Sequence, residues 1–72
     1  MVGVDLVSFY FKLRTYVGRS VEVVLSNGEV IAGELIAVGF SYAVVQALTV
    51  PGYGGTEDVL IRSRVIHYVR IL

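Results

Sequence analysis

The chain has no cysteine and no tryptophan, and only one proline, one methionine and one histidine among 72 residues. Without cysteine there is no disulfide framework and no thiolate metal site. The lone His67 cannot build a metal site by itself. Neither sign of charge dominates, since six basic residues balance six acidic ones. No net basic field therefore advertises nucleic acid, and any such binding must come from a local site. Catalytic spacings are missing too: there is no nucleophile–base pair in context, no acidic metal cluster and no H-E-x-x-H. His67, between Ile66 and Tyr68 in an expected strand, reads as a packed or surface imidazole and not as a general base. The expectation is a protein with no enzyme activity, cofactor or metal.

What the chain has in excess is apolar surface. Hydrophobic residues make up 56% of it on a count that includes tyrosine and omits glycine. Exchanging the five tyrosines for the eight glycines takes the figure to about 60%, against a usual value of about 45–50%. Residues 1–72 make a single domain, at a size where one core contributes little net stability and disulfides, a metal or partner chains are usually needed. With the first two excluded, some apolar surface is expected to be buried against other copies.

Leu35 to Thr56 contains no charged residue, which raises the question of a membrane span. Gly39, Ser41, Gln46, Thr49 and Pro51-Gly52 break that run well short of the roughly 20 apolar residues a spanning helix needs. No basic segment followed by an apolar one opens the chain, so no secretory signal is read. The expectation is a soluble, cytoplasmic protein without a membrane partner.

In order, Met1 to Val4 form a short apolar start. Asp5 is placed to cap a helix from about Leu6 to Tyr16, with Leu6, Phe9, Tyr10, Leu13 and Val17 as its apolar stripe. Lys12 and Arg14 suit the last turns, and Gly18 ends the helix. Such a helix is better suited to covering an open end of a sheet than to lying on a membrane, because its polar side carries only two cations.

Ser20 to Val38 then reads as two extended arms joined at Asn27-Gly28, a strong hairpin signal. Val21, Val23 and Leu25 alternate with Glu22 in the first arm; Ile31, Gly33, Leu35 and Ala37 share one face of the second. Gly33, in mid-strand, predicts a bend or a close approach of another backbone. Gly39-Phe40-Ser41 turns the chain into a third strand over Tyr42 to Thr49. Val50 to Thr56, with Pro51 and three glycines, reads as an irregular hairpin loop; it lacks the spacing of a phosphate-binding loop. Glu57-Asp58 leads into a fourth strand, Val59 to Arg62, and a break at Ser63 precedes a fifth, Val65 to Ile71. The fold class is mainly β: an N-terminal helix, then a five-stranded, strongly bent small barrel.

Taken together, V-G-R-S-V-E-V-V-L-S-N-G-E-V-I-A-G-E-L-I-A-V and the late V-L-I-R-S-R-V-I resemble the Sm-like (LSm) family, which includes the bacterial Hfq proteins. Asn27, Gly28, Gly33 and Leu35 match its first motif; Ile61-Arg62 match the I-R-G of its second, with Ser63 in the glycine place. The resemblance covers essentially the whole chain. It implies a homo-oligomeric ring of six or seven subunits, in which the fourth strand of one subunit pairs with the fifth of the next. Val59, Leu60, Ile61, Val65, Ile66 and Tyr68 would then form the subunit interface, with Ile66 and Tyr68 as anchors. The competing reading is that these side chains fill their own barrel.

The resemblance also implies single-stranded RNA near the central pore. In the family a base stacks between the arginine of I-R-G and a residue of the turn after the second strand, where an Asp-x-x-Met-Asn pattern reads uracil. Here Gly39 stands at the acid, Ser41 at the usual stacking position and Ala43 at the asparagine. Side chains of Gly and Ala cannot read a uracil edge. Arg62 and Arg64 remain as cations, with Phe40, Ser41 and Tyr42 beside them. The alternatives are a structural or protein-interaction ring without a uridine pocket, and an Arg62 held in an ion pair at the subunit junction, for instance with Glu34 or Asp58.

Overall fold

The computed structural model describes residues 6–48 and 55–72; Asp5, Thr49 and most of the expected loop, residues 50–54, lie outside them. Helix α1 covers Leu6–Arg14, followed by strands β1 (Ser20–Leu25), β2 (Val30–Val38), β3 (Tyr42–Leu48), β4 (Thr56–Arg62) and β5 (Ile66–Ile71), with a single 3₁₀ turn at Ser63–Val65. The strands form one antiparallel sheet in the order β4-β3-β2-β1-β5. β4 and β5 are therefore its two edges.

α1 ends two residues before the expected Tyr16. The chain leaves it through turns closed by Tyr16 N–H to Leu13 O (2.9 Å) and Arg19 N–H to Tyr16 O (2.9 Å). Gly18 takes φ +94°, a left-handed value that glycine adopts without a Cβ penalty, and donates to Leu35 O at 2.7 Å. This bond, with Leu35 N–H to Arg19 O (3.0 Å), fastens the helix end to the middle of β2. Phe9, Leu13 and Tyr16 pack toward the core, whereas Tyr10 and Val17 of the expected stripe do not. Tyr10 turns toward Phe40, and Val17 falls beyond the helix and stays exposed.

The hairpin at Asn27-Gly28 forms, but with a three-residue loop. Gly28 (φ +93°) is its one left-handed residue; Gly28 N–H donates to Leu25 O and Leu25 N–H to Glu29 O. That is a type I turn closed by a glycine bulge, not the two-residue turn for which Asn-Gly is best known. Asn27 Oδ1 accepts from Glu29 N–H (3.0 Å), so the asparagine stabilises the turn through its side chain.

The core consists of Leu13, Val21, Val23, Leu35, Ala43, Val45 and Ile61, with Val38, Val59, Ile66, Val69 and Ile71 packed against it. The alternation read for β2 fails after Leu35. Leu35 pairs with Val45 but Ala37 pairs with Val44, leaving Ile36 as an extra residue. One inserted residue exchanges the two faces of a strand, so Val38, opposite buried Ala43, joins the core in place of Ala37. A second irregularity lies between Val24 and Leu25, opposite Tyr68 and Ile66, and leaves His67 as the extra residue of β5. β4 begins three residues earlier than its apolar run: Thr56, Glu57 and Asp58 pair with Leu48, Ala47 and Gln46. Their strand geometry comes from β3's backbone and not from their own propensity. The fifth strand starts at Ile66 because Val65 belongs to the 3₁₀ turn.

At Gly33 the close backbone approach is present. A Cβ built there would collide with the carbonyl oxygen of Gln46, lie 2.8 Å from its carbonyl carbon and lie 3.0 Å from Val45 Cγ1. β3 crosses where a side chain would stand, and backbone cannot step aside as a flexible side chain can. Gly33→Ala is therefore expected to lower stability by about 1–3 kcal/mol, read as the urea midpoint at fixed protein concentration. Ala32→Ser, at the exposed neighbour, should stay within about 0.5 kcal/mol of wild type.

Candidate nucleic-acid interface

Two turns meet at one end of the sheet. The β2–β3 turn is closed by Gly39 N–H donating to Tyr42 O (2.8 Å), and Ser63 N–H donates to Ser41 O (2.9 Å). That second bond, together with the pairing of Tyr42 opposite Arg62, brings the 3₁₀ turn against the β2–β3 turn. Between them lies a cavity of about 190 Å³ lined by Ser41, Arg62, Ser63 and Arg64. Arg62 is extended (φ −72°, ψ 134°) as the chain enters the 3₁₀ turn, and Arg64 follows within it. Ser63 is buried. Its backbone has negative φ, so nothing in its conformation calls for the glycine of the I-R-G pattern.

Three of the expected RNA-contacting residues, Arg62, Arg64 and Ser41, thus surround one cavity, and Ser63 joins them. The two arginines are exposed, and among the described residues the ion pair is Arg70 with Glu22 (3.0 Å). Within the chain Asp58, one of the two residues suggested to pair with Arg62 at a subunit junction, accepts from Gln46 Nε2 at 3.4 Å. Among the described residues, no carboxylate lines the cavity with the guanidiniums.

The two aromatic residues are differently placed. Phe40 stacks on Tyr10 of α1, with ring centroids 4.2 Å apart and planes at 29°. Arg14 extends the group: its guanidinium carbon lies 5.7 Å from the Tyr10 centroid, and Nη1 donates to Tyr10 Oη at 3.4 Å. Tyr10 had the spacing of a core residue, and helical periodicity alone could not separate that role from a stacking one. Tyr42 lies over Gly39: a Cβ at position 39 would collide with its ring, 2.5 Å from Cζ and 2.7 Å from Cδ2. A side chain there would have to push aside the far end of the exposed Tyr42 side chain. Ala43 is fully buried and contributes to the core, not to the cavity.

Of the expected interface residues, Ile61 is buried in the chain's own core and Val59 and Ile66 pack against it. Leu60, Val65 and Tyr68 are exposed. Beside β5, a groove of about 390 Å³ runs along α1 between Phe9, Lys12, Tyr16, His67 and Tyr68. Among the described residues no three His, Asp or Glu side chains gather as a metal site would require, and no helix is long and apolar enough to cross a membrane.

No protein-family model, no curated protein and no solved structure matches this chain. Its element order, a helix followed by five antiparallel strands, is compatible with the Sm-like fold.

The fit of Tyr42 over Gly39 makes the two positions interdependent. Because the clashing atoms are the far end of an exposed side chain, Gly39→Ala should change stability by no more than about 0.5 kcal/mol. Chemical denaturation of Gly39→Ala checks this; a loss above about 1 kcal/mol would show that the Tyr42 ring is held in place.

Proposed function

We propose that this protein is a divergent Sm-like subunit that closes into a homo-oligomeric ring of six or seven copies and binds single-stranded RNA beside the ring's pore. Within it the sheet curls into a small barrel, for which the close approach at Gly33 and the extra residues Ile36 and His67 are the local devices.

Edge-to-edge assembly is supported by both ends of the sheet. β4 pairs with β3 alone and β5 with β1 alone, leaving one side of each strand without a strand partner among the described residues. On the sheet face away from the core, Leu60 stands opposite Val44 and Tyr68 opposite Val24. Leu60 is 64% exposed and Tyr68 43% exposed. Joining β4 of one copy to β5 of the next satisfies both rows of backbone groups and brings these apolar side chains together. Leu60, Val65 and Tyr68 are the contacts assigned to the neighbouring copy; Val59, Ile61 and Ile66 serve chiefly their own core.

The observation that carries the RNA reading is the cavity where Arg62 and Arg64 meet Ser41 and Ser63. Guanidinium groups suit phosphate, and a ring would repeat the pair once per subunit, concentrating positive charge in a chain of zero net charge. A purely structural ring is the second reading, favoured by the engagement of Phe40 and Tyr42 within the chain.

Native mass spectrometry at micromolar concentration should show one closed oligomer, and a clean monomer would contradict the assembly. Leu60→Arg is expected to shift that oligomer toward monomer while leaving the circular dichroism of the sheet in place. On the RNA side, labelled single-stranded RNA should bind the wild-type assembly at low salt, where phosphate contacts are strongest. Arg62→Ala should weaken that binding at least tenfold. Absence of binding by wild type would favour the structural ring.

A further inference from the structure

We infer that Leu60 of one copy seats in the groove between α1 and β5 of the next, and that Asp58 beside it meets Lys12 of that helix. This rests on the ring reading above and specifies which surface of the neighbouring copy receives β4.

α1 is fastened to β2 by the bonds that join Gly18 and Arg19 to Leu35. Between the helix and β5 a groove of about 390 Å³ stays open. Its apolar walls are Phe9, Leu13 and Tyr16 from the helix and Val69 and Ile71 from the strand. Leu13 is buried, whereas the other four are only half-buried where they pack against the core. The groove is therefore a part of the core left open to water, and an apolar side chain entering it removes apolar surface on both sides. It runs along β5, whose outer side has no strand partner among the described residues.

β4 carries side chains that match it. Asp58 and Leu60 stand two residues apart on one face of that strand, opposite Gln46 and Val44, and both are exposed. Pairing β4 with β5 of the next copy brings this face of β4 to the groove's rim. Lys12 gives the groove a cation, and no carboxylate lines it among the described residues. Asp58 accepts a 3.4 Å bond from Gln46 and takes no part in the ion pair found among those residues, which joins Arg70 and Glu22. A leucine with an acid one step along the strand thus fits an apolar groove with a cation at its side. Lys12, which suits the last turns of α1 for its charge, gains a partner in another copy.

Sedimentation velocity over a dilution series at low salt tests this, through the concentration at which the assembly is half dissociated. Lys12→Glu and Asp58→Lys should each raise that concentration about threefold to tenfold, because an exposed attraction becomes a repulsion. Lys12→Glu/Asp58→Lys should return it to within about twofold of wild type. Lys12→Glu/Glu29→Lys has the same net charge but carries its lysine in the β1–β2 turn, and should stay as weak as Lys12→Glu. Leu60→Ala and Tyr16→Ala should each weaken association, and together by less than the product of the two. Circular dichroism confirms that each variant folds, and the charge reversals carry the test where Tyr16→Ala does not. No weakening by either reversal, rescue by Glu29→Lys as complete as by Asp58→Lys, or independent effects of Leu60→Ala and Tyr16→Ala would overturn this inference while leaving the ring in place. A wild-type protein that stays monomeric at micromolar concentration would overturn the ring and this inference with it.

Discussion

Along the outer sides of β4 and β5, backbone N–H and C=O groups face away from the one strand that each pairs with among the described residues. Such groups do not stay unpaired when buried, and exposed, apolar strand edges invite other chains. In a chain this small and this apolar, the two open edges constrain everything else. The ends of a five-stranded sheet must be closed by curling, by covering or by a neighbour. α1 is held to β2 through Gly18 and Leu35 and packs Phe9, Leu13 and Tyr16 toward the core, so neither edge receives a strand from it. In the proposed assembly a second copy would supply what each edge lacks. The same face carries Leu60 at one edge and Tyr68 at the other, so that pairing would also bury side chains.

The functional end of the molecule follows from a substitution of space. Tyr42 swings over Gly39, Phe40 leans on Tyr10, and Ala43 retreats into the core. Ala43 is lost to the core, while Phe40 and Tyr42 stay exposed with part of each ring engaged within the chain. The arginines on the opposing turn keep their exposure and share a cavity with two serines. The site that results is rich in charge and poor in shape. This is consistent with a protein whose resemblance to the Sm-like family is stronger in its strand order than in its uridine-reading residues.

Much of the fold was legible in the sequence because it depends on local signals. Asn27-Gly28 marks the hairpin, Gly33 marks the approach of β3, and the order of one helix and five strands follows from alternation and turn residues. The departures in strand register and extent come from long-range pairing. Nothing near Ile36 announces that it is an extra residue; only the register against β3 reveals it, and it moves Val38 into the core. Thr56, Glu57 and Asp58 look unlike a strand and become one because β3 runs beside them. At the site, Arg62, Arg64 and Ser41 could be named from motif positions. That Phe40 and Tyr42 would be engaged by Tyr10 and Gly39 could not be read, since it depends on how α1 and the β2–β3 turn face each other.

The central claim is that both sheet edges are paired between copies. Hydrogen–deuterium exchange of the assembled protein tests it most directly, followed at single amides across residues 56–62 and 66–71. The amides pointing away from β3 and β1 should be protected to the same degree as those pointing toward them, and should lose that protection together on dilution. Exchange of the outward amides at the rate of an unpaired chain, at concentrations where the protein is most associated, would contradict the account.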